Sequence, residues 1–284
     1  MEKRKLRILA IGAAAAVLLA LGAIGFAKPA AKGQGMTKTE DLNGKVLAGV
    51  TAARMSAENA EVLFETILGV KLSGYHGVED LQSLLYELKS GRADAICCPD
   101  VTADYLLRTE EGLVRLAAPA DTANGVEGGG RLEFAMALPK GAEELRDVMN
   151  AAMTEMEEDG TLKGLIVAYV DADEPMDAYE KGGGSGKKIY VGVTGTVAPL
   201  DRFDESGKAC GFSVAFLEEL GKRTGYRFVT VPITMEESFT ALASGKVDLL
   251  FAYGTSRNTT PGEKDYLVTK GYYTMNEYAY LTLE

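Results

Sequence analysis

Two short stretches of this chain read almost alike: LKSGRADAI from Leu88 to Ile96, and LASGKVDLL from Leu242 to Leu250. Each is a leucine, a Ser-Gly break, a basic residue, an apolar residue, an aspartate and then an apolar run. Glycine just past a helix supplies the left-handed backbone that ends it. An apolar run after a tight turn reads as a buried strand. Each phrase therefore marks a helix stopping and a strand starting within a few residues. Alone, such a turn is common; its weight comes from its surroundings.

Around the first phrase, KVLAGVTAA reads as a strand and SAENAEVLFETIL as a helix with Ser56 as N-cap candidate. LSGYHGVED reads as a polar turn, and VEDLQSLLYELKSG as a helix stopped at Gly91. ADAICC is then a strand, VTADYLLRT a helix, GLVRLAAP a strand and TANGVEGGGR a loop. Around the second phrase the pattern begins again. KKIYVGVTG, YRFVTVPI and VDLLFAYG read as strands, with GFSVAFLEELGKRTG and MEESFTALASG as helices closed by Gly225 and Gly245. Two β-α-β-α-β runs predict two similar lobes, each a mainly parallel sheet covered on both faces. Between them stands a strand and two helices, RLEFAMALPKGAEELRDVMNAAMTEMEEDGTLKGLIVAYV, and then a connector at 171–188 that is acidic at first and Gly/Ser-rich at its end.

Composition narrows the function. A net charge of −11 over 284 residues argues against a nucleic-acid surface, which needs a basic footprint. The three cysteines, Cys97, Cys98 and Cys210, sit in apolar contexts and read as buried thiols. One histidine, His76, leaves no His-rich metal site and no Ser/His relay, so neither metal nor cofactor is expected. At the start, basic MEKRKLR precedes an uncharged run from Ile8 to Ala27. That pattern fits both a cleaved export signal and a membrane anchor over residues 1–36, and both place the remainder outside the cytoplasmic membrane.

Several stretches resemble one family, the extracytoplasmic solute-binding proteins of family 3, receptors that deliver polar amino acids to ABC importers. IYVGVTGTVAPLDRFDESGKACGFSVAFLEELGKRTGYRFVTVPI resembles the family's opening; ALASGKVDLLFA, TTPGEKDYL and GYYT resemble its next elements. DLNGKVLAGV, LKSGRADAI and VTADYLL resemble its second lobe, and FAMALPKGAEELRDVMNAAMTEMEEDGTLKGLIVAYV its C-terminal end. The order departs from the family, because what normally ends the chain here precedes what normally begins it. The resemblance thus implies an α/β, two-lobed periplasmic-binding-protein-like fold in circularly permuted order. Residues 37–131 would resemble the family's second lobe and 132–284 its first, with EYAYLTLE as a hinge strand. Two incomplete halves of different receptors are the alternative.

The resemblance also implies a site between the lobes. The loop AYGTSRNTTP offers Thr255, Ser256 and Arg257 for a carboxylate, Arg257 standing in for an arginine the family carries further along. Arg54 or Ser56 could meet the anion from VTAARMSAEN, where Ser56 is also a plain N-cap. Asp100 lies one position beyond the acid that usually holds an ammonium, and could equally be a solvated turn acid. Leu200 and Arg202 stand where the family places aromatics, with Asp201 and Tyr253 as compensating candidates. Asp94 and Asp248, in the repeated phrase, read as structural. The expected role is non-catalytic capture of a polar amino acid or similar anionic solute by a monomer serving an ABC permease. Alternatives are a ligand-sensing receptor acting in trans and a dehydratase-like enzyme on the same fold. Contact with the membrane is expected only through the N-terminal segment.

Overall fold

The computed structural model describes residues 35–50, 57–117, 131–173, 176, 184–256, 266–276 and 278–284. The first run holds β1 (Val46–Val50), α1 (Ala57–Leu68), β2 (Gly74–Val78), α2 (Leu81–Lys89), β3 (Ala95–Pro99), α3 (Asp100–Thr109) and β4 (Leu113–Arg115). Next come β5 (Arg131–Pro139), α4 (Glu143–Glu158) and α5 (Thr161–Ile166). The second run holds β6 (Lys188–Val193), the hairpin β7 (Arg202–Phe203) and β8 (Ala209–Cys210), α6 (Phe212–Thr224), β9 (Arg227–Pro232), α7 (Ser238–Ala243) and β10 (Leu249–Ser256). Three strands close the chain: β11 (Tyr266–Val268), β12 (Tyr273–Asn276) and β13 (Tyr278–Leu283).

These strands build two sheets on one plan. The first has the order β2-β1-β3-β13-β4, the second β9-β6-β10-β5-β11. In each, the first three strands of a run pair in parallel. In each, an antiparallel strand then separates the third strand from the fourth. That strand is supplied by the other half of the chain: β13 enters the first sheet and β5 the second. So residues 278–283, the expected hinge strand, pair with Cys97, Cys98 and their neighbours in the first sheet.

The repeated phrase explains the matched turns. Ser90 and Ser244 cap α2 and α7 through their backbone N–H groups, and each hydroxyl donates to a carbonyl three residues back, on Glu87 and Ala241, at 3.3 Å. Gly91 and Gly245 follow with φ of +71° and +74°, a backbone that only glycine adopts without strain. Asp94 Oδ2 then accepts from Val46 N–H at 2.9 Å, and Asp248 Oδ2 from Tyr190 N–H at 2.7 Å. Both aspartates also donate their own N–H to the carbonyl of that same residue, at 2.8 Å. Each acid thereby clips the start of the third strand to the start of the first.

Period-two burial covers both faces of each sheet. On β3, Cys97 packs with Phe64 of α1 and Tyr75, whereas Cys98 packs with Leu84 and Leu88 of α2 and Leu106 of α3. The adjacent cysteines therefore point to opposite faces and stay free. Burial pushes the Cys98 thiol up to about 12, so it behaves as a small hydrophobe. In the second sheet Val191, Phe251 and Phe134 pack under α4 and α6, while Leu250 and Ala137 pack under α7.

His76 differs from its expected place in a polar turn. It sits in strand β2, opposite Ala48, with Nδ1 2.8 Å from the buried Glu87 carboxylate. Gly74 and Gly77 give β2 a weak strand signature, but five residues in register with β1 supply its backbone partners. Among the described residues no group of three or more His, Cys, Asp or Glu could hold a metal ion. No helix among them is long and apolar enough to cross a membrane; the apolar run at Ile8–Ala27 lies outside them.

Candidate functional site

Helix α3 carries the contact between the two sheets. It starts at the carboxyl end of β3, and Val101, Tyr105 and Arg108, spaced four and three apart, share one face. Val101 N–H donates to Met275 Sδ at 3.5 Å. The Arg202 guanidinium lies 5.9 Å from the centre of the Tyr105 ring, a cation–π distance. Arg108 Nη2 donates to the Val170 carbonyl at 2.9 Å. Tyr273, on the facing strand, is pushed up to about 12, chiefly by burial, with Asp171, Asp104 and Asp100 adding to it. Strand β7, which follows the loop after β6, thus meets the middle of α3, a helix that itself starts at the carboxyl end of β3. Open α/β sheets place ligands at such ends.

The loop at 194–201 is built around Asp201, which is fully buried. Its Oδ2 accepts from Thr194 N–H at 3.0 Å, Gly195 N–H at 3.1 Å and the Thr194 hydroxyl at 2.9 Å. Thr194 Oγ1 lies 2.8 Å from Thr196 Oγ1. Asp201 Oδ1 has no hydrogen-bond partner among the described residues. Burial pushes the Asp201 carboxyl up to about 6, against the opposing pull of the Thr194 and Gly195 hydrogen bonds. Beside it, the buried Tyr272 hydroxyl accepts from Ala252 N–H at 3.1 Å, on a residue whose φ is +52°. Burial and the Asp201 charge both push that phenol upward.

The expected site residues fall in different settings. Asp100 opens α3 and is bound by the Arg115 guanidinium, which also holds Asp104. Thr255, near the end of β10, donates its hydroxyl to the Glu133 carbonyl at 3.1 Å. Ser256 ends the same strand opposite Leu132. Tyr253 meets Phe239 of α7 edge-on at 6.2 Å, within an aromatic cluster under that helix. Asp201 braces its own loop. Arg54, Ser56 and Arg257 lie outside the described residues. Sequence reasoning did not single out Thr194, Thr196, Tyr272 or Tyr105. The threonines lie within the quoted VTGTVAPL stretch, while the tyrosines carry no local signal of their tertiary contacts.

Residues 189–282, from β6 through β13, match the sequence profile of the bacterial extracellular solute-binding proteins, family 3. Through that stretch the chain is similar to the family. Among curated proteins it is similar to the L-cystine-binding protein TcyJ of Escherichia coli K12, 30% identical over 141 residues, 49% of this chain and 47% of the relative. The chain thus spans about half the length of the curated relatives it matches. Among solved structures, the zinc-bound ligand-binding component of an ABC-type import system from Staphylococcus aureus aligns with 85% of this chain and 66% of its own, at 12% identity and a TM-score of 0.43. An ancestral arginine-binding protein bound to arginine aligns with 86% of each chain, at 12% identity and a TM-score of 0.37. The matched stretch includes the 194–201 loop and most of the strand β13 that joins the first sheet.

Proposed function

We propose that this chain is an extracytoplasmic receptor that captures a small polar amino acid or similar solute in the crevice between its two lobes, without chemistry, and serves an ABC-type importer. The observation that carries this reading is the family match across residues 189–282, which include Arg202, the residue that meets Tyr105 of α3. Exchange of strands between two sheets of equal plan supports it, since hinged lobes joined by crossing strands can close on a small molecule. The same plan supports reading the chain as one permuted receptor, with 171–188 joining former ends and residues 8–27 serving as export signal or anchor. L-Cystine is the first solute to test, after the relative's printed name.

A binder stabilises the native state by mass action, about 2.7 kcal/mol at a hundredfold excess over Kd. The test is a thermal-shift screen with L-cystine, L-arginine, other polar amino acids, dicarboxylates and polyamines. A saturable rise in Tm with one polar amino acid is the expected result. No rise with any of them, alongside turnover of a cyclic acid, would replace capture with catalysis.

A further inference from the structure

The hydrogen bonds around Asp201 have a direction that follows from proton counting. A hydroxyl owns one proton. Thr194 gives its proton to Asp201 Oδ2, so at the 2.8 Å contact Thr196 must donate to Thr194 Oγ1. Thr196 Oγ1 is then left with lone pairs only. A proton added to Asp201 goes to Oδ1, because Oδ2 already accepts three donors. The direction of the relay therefore survives protonation, while its bonds lose their charge assistance and weaken.

We propose that Asp201 is a positioning residue: it fixes the 194–196 loop and orients its buried hydroxyls, so that its ionised carboxyl favours a cationic group, such as a ligand ammonium, near that loop. This rests on the reading of the interlobe crevice as the ligand site. The groups facing Asp201 leave it as the titrating member. Tyr272 faces it from the β11–β12 connection as a neutral phenol, and Cys210 from β8 as a thiol raised by burial. Arg202, its chain neighbour, lies over the Tyr105 ring. A ligand cation near this loop favours the ionised carboxyl, so binding releases a proton and tightens as pH rises.

Two measurements on the full chain test this. The first needs no ligand: the amide resonances of Thr194 and Gly195 are followed between about pH 4.5 and 7.5, a window around the raised carboxyl. They should titrate together in the wild type and not in Asp201→Asn, whose amide oxygen can keep the three bonds without ionising. Absence of that titration, or its persistence in Asp201→Asn, overturns the proposal. The second is calorimetric titration with L-cystine, whose affinity should rise about threefold or more across the window in the wild type and stay flat in Asp201→Asn. Flat wild-type affinity overturns the coupling of the loop to the ligand. Titrating amides with no heat from L-cystine leave Asp201 as the loop's positioning residue and count against cystine as the solute.

Discussion

Replacing Asp94 with alanine should destabilise the protein by about 2–3 kcal/mol, and the same change at Asp248 by about 1 kcal/mol or less. The two acids make the same pair of bonds to the first strand of their sheet, so chemistry alone predicts equal costs. Burial separates them. Asp94 is 7% exposed, and without its carboxylate the Val46 N–H loses its partner in a bond that is part-buried. Asp248 is half-buried, and its partner Tyr190 is 42% exposed, so water can take over the orphaned N–H. For a chain of this size each kcal/mol moves Tm by about 2–4 °C, giving about 4–12 °C for Asp94→Ala and under about 4 °C for Asp248→Ala. The chain has no tryptophan, so melting is read by far-UV circular dichroism or tyrosine emission. A loss at Asp248 equal to or larger than that at Asp94 would show that burial does not set the value of this clip.

Gly192→Ala should cost about 1–3 kcal/mol by overpacking, because a Cβ there meets Ile233 Cδ1 at 2.6 Å and Leu250 Cδ2 at 2.9 Å; a melt unchanged within about 1 °C would refute it. Asp201, raised from 3.8 to about 6, is an acid whose neutral form folding favours. Its contribution to stability is full below its unfolded value and is lost as pH rises through about 6, on the order of 3 kcal/mol in all. Urea unfolding of the wild type minus that of Asp201→Asn should therefore fall between about pH 4 and 7, and a difference that rises would reverse the assignment.

Sequence reading reached furthest where local chemistry and tertiary role coincide. The phrases at Leu88 and Leu242 carry their own helix stop, turn and clip, so two matched units were legible without coordinates. The Cys97–Cys98 pair was readable as buried thiols, but not as residues on opposite faces, because that needs helices on both sides of β3. Strand β2 was missed since Gly74, His76 and Gly77 favour turns, and only pairing with β1 holds it extended. At the site, Asp201 was legible only as a candidate, with Tyr253, to compensate for the aromatics missing at Leu200 and Arg202. Its placement as a brace depends on enclosure, a tertiary property. Asp100 likewise read as available, until β4 brought Arg115 to it from fifteen positions along the chain.

On the proposed reading of two lobes closing on a solute, the contact face of α3 bears on that closure. Arg202 stands where the resemblance implies an aromatic ring, yet it meets one, contributed by Tyr105 of the other lobe. A guanidinium over a ring is worth about 0.5–1 kcal/mol when exposed and about 2 when desolvated. Such a contact spans two lobes, so it acts on their relative placement more than on either core. Tyr105→Leu keeps most of the apolar area and removes the ring's electrostatic face. Local stability should then change by less than about 1 kcal/mol. The population of the closed arrangement should drop by about two- to fivefold, the equilibrium equivalent of losing about 0.5–1 kcal/mol. X-ray scattering in solution would read this as a larger radius of gyration, restored by Tyr105→Phe, which keeps the ring face. A radius unchanged in Tyr105→Leu, or one that Tyr105→Phe fails to restore, would mean that this pair does not bias closure, and the remaining α3 contacts at Val101 and Arg108 would have to hold the lobes without it.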